Sequence, residues 1–412
     1  MTYIDDIAIA YVSLMIPDDP KFWNAAVHRN GNTFMQNVFF GLNRILGACV
    51  TSFSAIPIPS FPRSNRLFIA AEKLQISPDT FTTTVPFINV TPLKQLAIGL
   101  SMFWSLLRWG LRGRQSRYKV VFSYNISVPP LLFTLAAARL LGTKVLLFIG
   151  DVNIPGETVP DTLFYRIDAR LQTGLLRYVA GSVVVSDRIA IDLLPGRPYI
   201  RLDGGADGSL IEATGRFQKE DRATDGHFTI AATGYLSEFN GFHELLSAFS
   251  NLKGPKYQLV IAGGGPLQET ITNRAAIDPR IQFRGFLSYD ELLELHSKAD
   301  VLVSMRLTEK MNTAYAFPSK TFEYLLSGVP VITTASGHMA SEYGPYCFIL
   351  DEESSEALTA KLLLIENLGA PERARVAASA RKYIMDSKTW SKQQARIAEF
   401  VYEVVTKGEA RA

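Results

Sequence analysis

The sequence predicts an α/β protein made of two doubly wound parallel-sheet halves, and three observations predict it. Short β-branched runs alternate with helical patterns along most of the chain, which is the signature of parallel strands wrapped by helices on both faces. The alternation breaks once, near the middle. The chain has 412 residues, enough for two or three domains with a sizeable core each.

In the first half, strands are expected at residues 6–14, 50–56, 85–90, 120–124, 144–149, 182–186 and 198–202, with helices at 33–46, 94–112, 130–141 and 162–179. Residues 209–226 are polar, hold two glycines and lack an apolar period, so they read as a linker. In the second half, strands are expected at 228–232, 257–262, 281–286, 301–305, 330–334 and 347–350, with helices at 242–252, 266–274, 289–298 and 320–327. Past Asp351 three helical patterns follow without strands. The expected division is therefore a domain over 1–208, the linker 209–226, a domain over 227–387, and a terminal helix in 388–412 that crosses back to the first domain.

Composition removes several classes of function. Apolar residues are 47% and charged residues 20% of the chain, which excludes wholesale disorder. A net charge of +3 is too small to draw nucleic acid by bulk attraction. Cys49 and Cys347 lie too far apart for a disulfide framework or a four-thiolate metal site, and a reduced, cytoplasmic compartment is the expectation. The first residues, MTYIDDIAIAYVSL, lack a basic leader and read as a strand. No D-x-D, G-x-x-x-x-G-K-[ST], H-E-x-x-H or G-x-S-x-G occurs, and no nicotinamide-type G-x-G-x-x-G follows a first strand. No metal or resident cofactor is expected.

The densest chemical signal is residues 300–334, ADVLVSMRLTEKMNTAYAFPSKTFEYLLSGVPVITT. A buried strand ends at Arg306, and Phe317-Pro318-Ser319-Lys320 opens a helix that Gly328 closes. Ser319 and Lys320 put a hydroxyl and an ammonium beside free backbone N–H groups, which suits an anion. Glu323, one turn on, faces the same side and can accept hydrogen bonds from sugar hydroxyls.

That run, Ala316-Phe317-Pro318-Ser319-Lys320-Thr321-Phe322-Glu323-Tyr324 with Gly328, Pro330 and Val331, resembles the nucleotide-sugar site of family-4 glycosyltransferases of the GT-B fold. Within that family it is similar to a bacterial polysaccharide-type subgroup. Further stretches agree: Gly234-Tyr235 after a strand, Gly263-Gly264-Gly265 after the next, Gly31-Asn32 between strand and helix, and Asp207 in an interdomain segment. The resemblance implies two Rossmann-like domains facing across a cleft. It implies transfer, with retention, of a sugar from a nucleoside diphosphate co-substrate to a saccharide, lipid-linked acceptor in cell-surface polysaccharide synthesis. Glu323 would hold the donor ribose, Lys320 and Ser319 the diphosphate, while Asp151 or Asp207 would orient hydroxyls. Gly31, Asn32, Gly234, Tyr235, Gly264 and Arg306 complete the expected donor site, with Asp151, Lys320 and Glu323 as catalytic candidates.

The chain departs from the family pattern at three places. The first of a common glutamate pair is Tyr315, the usual Arg and Lys phosphate clamp corresponds to Tyr235 and Asn240, and an expected His is Gly150. Lys320 and Arg306 could supply the two missing positive charges. The alternative is a non-catalytic GT-B subunit supporting an active partner.

Residues 94–112 carry Lys94, Ser101, Ser105, Arg108 and Arg112 in one narrow helical stripe, with Trp104 and Trp109 on the apolar remainder. Arg108, Arg112, Arg114, Arg117 and Lys119 crowd its end. Two readings stand side by side: a helix lying in an anionic headgroup layer at the inner face of the cytoplasmic membrane, or a core helix with a basic tail.

Overall fold

The computed structural model describes residues 7–27, 29–46, 50–112, 116–217, 226–318 and 320–406. Residue 6 of the expected first strand, Cys49, Arg114, Ser319 and residues 218–225 of the expected linker lie outside the described residues. The chain divides into two compact units, one of Met1–Asp203 with Trp390–Ala412 and one of Gly204–Thr389.

The first unit runs β1 (Ile7–Ser13), α1 (Arg29–Leu46), β2 (Val50–Ser54), β3 (Phe68–Ile69), β4 (Lys73–Ser77), β5 (Thr80–Thr84) and β6 (Phe87–Ile88). It continues with α2 (Leu93–Arg112), β7 (Tyr118–Tyr124), α3 (Val128–Leu140), β8 (Lys144–Ile149), α4 (Leu163–Leu176), β9 (Gly181–Val184), α5 (Asp187–Leu193) and β10 (Tyr199–Arg201). Among the described residues, its main sheet has eight strands in the order β10-β9-β8-β7-β1-β2-β5-β4. All neighbours are parallel except β4 and β5. Of the strand expected at 85–90, only Phe87–Ile88 forms a strand element, β6, which pairs with β3 as a separate two-stranded ribbon, while β5 just before it joins the main sheet.

The second unit runs α6 (Gly208–Arg216), β11 (Phe228–Tyr235), α7 (Phe242–Asn251), β12 (Tyr257–Gly264), α8 (Gln268–Ile277), β13 (Ile281–Phe283), α9 (Tyr289–Lys298) and β14 (Val301–Ser304). Then follow α10 (Thr321–Leu326), β15 (Val331–Thr333), β16 (Phe348–Ile349), α11 (Ser355–Asn367) and α12 (Ala370–Ser387). Its sheet, β13-β12-β11-β14-β15-β16, is parallel throughout. Apolar side chains fill both of its faces, Ile230, Leu259 and Val303 on one side and Ala231, Leu302 and Val331 on the other.

The expected linker is half wrong. Residues up to Arg216 form α6, started by the Asp207 carboxylate, which accepts from the Leu210 N–H at 2.6 Å. Leu210 and Thr214 are its buried anchors, a spacing of four that a polar composition hides. The last helix, α13 (Trp390–Thr406), returns to the first unit and packs beside α1. A Cβ on Gly41 of α1 would fall 2.3 Å from Gln394 Cγ, so the two helices touch backbone to side chain there.

Helix α2 agrees with the reading of a core helix with a basic tail, since it buries Ile98, Met102, Leu106 and Trp109 and its terminal arginines are exposed. Lys94 donates to the Ile58 carbonyl, Ser101 Oγ donates to the Pro86 carbonyl at 2.5 Å, and Ser105 Oγ donates back to Ser101. Lys94 and the two serines of the polar stripe are therefore spent on the protein's own carbonyls, while the buried stripe of the helix is Ile98, Met102, Leu106 and Trp109. Trp109 is only 9% exposed, whereas Trp104 is 57% exposed. Gly99 and Gly110 meet Phe133 and Leu141, which draws α2 tightly onto α3. Arg108, Arg112 and Arg117 are exposed, Arg117 lying over the Tyr118 ring. Among the described residues no helix is long and apolar enough to cross a membrane.

Candidate functional site

In the second sheet the chain steps outward from β11 to β12 and β13, then returns to lay β14 on the other side of β11. The carboxyl ends of β11 and β14 thus diverge at a topological switch point, where helices leave toward opposite faces and a crevice opens. A cavity of about 120 Å³ sits there, lined by Thr233, Gly234, Tyr235, Arg306, Pro318 and Lys320 among others.

Lys320 and Arg306 bring positive charge to this cavity. Lys320, just before α10, donates from Nζ to the Thr233 carbonyl at 2.8 Å. Gly234 makes that reach possible: its φ is +141°, and a Cβ there would lie 2.2 Å from Lys320 Nζ. The Arg306 backbone is clamped by Thr334, whose Oγ1 accepts from the Arg306 N–H at 3.0 Å and donates to its carbonyl at 2.8 Å. The Arg306 guanidinium meets no carboxylate among the described residues.

The electrostatics show a site short of negative charge. Burial pulls the Lys320 pKa down; Glu323 partly opposes this and Arg306 adds to it. Burial likewise pulls the Arg306 pKa down. Burial pushes the Glu323 pKa up against the opposing pull of Lys320. Two half-buried cations therefore face one half-buried carboxylate, an imbalance that an anionic ligand would relieve.

Beneath the cations lies a network that sequence reasoning missed. Thr233 Oγ1 is 3.0 Å from both Tyr324 Oη and His296 Nε2, and the Thr233 N–H donates to Tyr324 Oη at 3.0 Å. His296 is fully buried; burial first, and Lys320 second, push its pKa down to about 3. The imidazole is thus neutral and fixes the end of β11 without adding charge. Its signal was helical spacing, since His296 lies three residues past the buried Leu293 on α9.

The other expected site residues are scattered more widely. Tyr235 is 63% exposed, and its carbonyl accepts from Asn240 Nδ2 at 2.7 Å, so this pair shapes a turn. Gly264 closes β12 against Phe286; a Cβ there would fall 2.5 Å from that ring. Asp207, expected to orient hydroxyls, is engaged instead as the cap of α6, where it also accepts from Ser209. Gly31 and Asn32 belong to the first unit and form no loop; both sit in α1. The Asn32 side chain is buried and spent on Ile16, accepting from its N–H at 3.0 Å and donating to its carbonyl at 3.1 Å. Asp151 lies exposed just past β8, also in the first unit.

Comparison with known proteins bears on this geometry. Residues 215–383 match the family model described as glycosyl transferases group 1. That span contains every residue of the cavity. No curated protein matches the chain in sequence. Among solved structures, HepE from Anabaena in complex with UDP aligns at a TM-score of 0.63 and 15% identity, covering 96% of this chain and 100% of that one. Sucrose-phosphate synthase from Thermosynechococcus elongatus aligns at 0.64 and 13%, covering 96% and 99%. A glycosyltransferase from Rickettsia africae aligns at 0.63 and 15%, covering 97% and 99%. At these identities the likeness establishes the fold, an α/β fold of the GT-B type with two Rossmann-like units.

Proposed function

We propose that the protein is a glycosyltransferase that moves a hexose, with retention, from a nucleoside diphosphate to a saccharide acceptor carried on a lipid. The observation that carries this reading is the cavity at the β11–β14 switch point, where Arg306 and Lys320 outnumber Glu323. A diphosphate supplies the missing negative charge. As the sugar–phosphate bond breaks, negative charge grows on the leaving diphosphate, and preorganised cations lower the barrier by meeting it there. Glu323 accepts from donor hydroxyls, and Asp151 in the first unit orients those of the acceptor. The donor's own phosphate oxygen receives the acceptor proton. UDP bound to a protein of the same fold supports a nucleotide donor. The reading requires no metal and no resident cofactor. It places the work at the inner face of the cytoplasmic membrane, in cell-surface polysaccharide synthesis.

The test is a panel of sugar nucleotides read out by nucleoside diphosphate release. Lys320→Ala is expected to lower kcat/KM by about 100-fold, chiefly through kcat, because its charge matters most in the transition state. Glu323→Ala is expected to raise KM for the donor more than it lowers kcat. Full activity in both variants would refute the assignment. Nucleotide binding without turnover by the native chain would instead favour a non-catalytic subunit.

A further inference from the structure

We infer that the outward face of α2, with the adjoining β3–β6 ribbon, is a docking surface for an anionic lipid bilayer. Lys94, Ser101 and Ser105 spend their polar atoms on backbone carbonyls, and the side of the helix next to them is outward and apolar. Leu96, Leu100, Trp104 and Leu111 stand on it, Leu111 being 78% exposed. They recur at intervals of four and seven, so they line one side of the helix. Beside them Phe68 and Ile88, directly opposite each other in the ribbon, are also exposed. A soluble helix hides its apolar side; α2 buries Ile98, Met102, Leu106 and Trp109 and still leaves this second apolar stripe outward.

Charge selects the occupant. Residues 80–150 hold eight Lys or Arg and no Asp or Glu. Of these, Arg108, Arg112 and Arg139 are exposed at the carboxyl ends of α2 and α3, and Arg63 and Arg66 are exposed just before β3. None of these five pairs with a carboxylate among the described residues. A second copy of the chain would bring its own cations to the contact and be repelled. A bilayer of acidic phospholipid offers hydrocarbon for the leucines, an interface for the indole and negative headgroups for the arginines. The surface belongs wholly to the first unit, so it stands whether or not the donor reading holds.

The experiment is flotation of the full chain with vesicles of phosphatidylcholine alone and with phosphatidylglycerol added. The native chain is expected to float with the anionic vesicles at least about tenfold better than with neutral ones, and less as salt rises. Trp104→Ser with Leu100→Asn, and separately Arg108→Glu with Arg112→Glu, are each expected to cut that binding by about tenfold or more. All four side chains are exposed, so circular dichroism is expected to match the native chain. Lys320→Ala is expected to float normally, which separates this inference from the donor site. It is overturned if the chain stays at the bottom with both vesicles or if the variants float unchanged. It is overturned equally if Trp104→Ser with Leu100→Asn instead dissolves a dimer seen by sedimentation.

Discussion

His296 shows how a single buried side chain can link pH to folding. Its folded pKa, about 3, lies far below the ordinary value of 6.5. The unfolded chain therefore takes up a proton below pH 6.5 that the folded chain refuses. Stability is fully present above that pH and declines as pH falls toward 3, with a slope of up to about 1.4 kcal/mol per pH unit. His296→Gln, which can still bond Thr233 but does not titrate, is expected to flatten that slope in urea unfolding series between pH 6.5 and 4. Gly234 makes a second case at this scale. Gly234→Ala pushes a methyl group into Lys320 Nζ, so nucleoside diphosphate release is expected to fall by about tenfold or more while the melting temperature moves only a few degrees. Arg306, Lys320 and Glu323 were legible in the sequence because charged residues at strand ends and helix starts announce themselves. Thr233, His296 and Thr334 were not, because a buried polar network is written in spatial proximity between residues up to 91 positions apart.

At the scale of elements, strands were read well where burial on both faces leaves an unbroken apolar run, as in β1, β7, β8 and β12. Helices were read poorly where capping and burial disagree with composition. The segment of α6 looks like a linker because only Leu210 and Thr214 of it are fully buried, yet Asp207 starts it by satisfying the Leu210 N–H. Asp207→Ala is expected to cost about 1 kcal/mol in the unfolding of the second unit and to leave donor KM nearly unchanged. A large rise in KM would return Asp207 to the donor site. Helix α2 left two readings open for a different reason. Its period was read correctly, but the helix carries two apolar stripes, and hydrophobicity alone cannot say that Ile98, Met102 and Leu106 face the protein while Leu96, Leu100 and Trp104 stay outward. A short helix such as α10 shows a further limit: its few residues carry meaning through what flanks them.

For the whole molecule, the parallel sheets and the return of the last helix followed from counting strands and noticing a helix without one. The first unit is discontinuous, interrupted by Gly204–Thr389 and completed by α13. Trp390, Ile397, Phe400 and Val401 of that helix are buried in the same core as Phe122 and Phe148. Removing residues 390–412 is expected to lower the stability of the first unit by several kcal/mol, from the lost burial of these large side chains, and to expose surface that binds a hydrophobic dye. A fragment spanning 204–389 is expected to unfold cooperatively by itself, as circular dichroism would show. The order of synthesis gives this connectivity a further meaning. The strands of the first unit must wait, unsealed, until α13 has also left the ribosome, so a chain broken off before Trp390 leaves the core beside α1 open to chaperones and proteases.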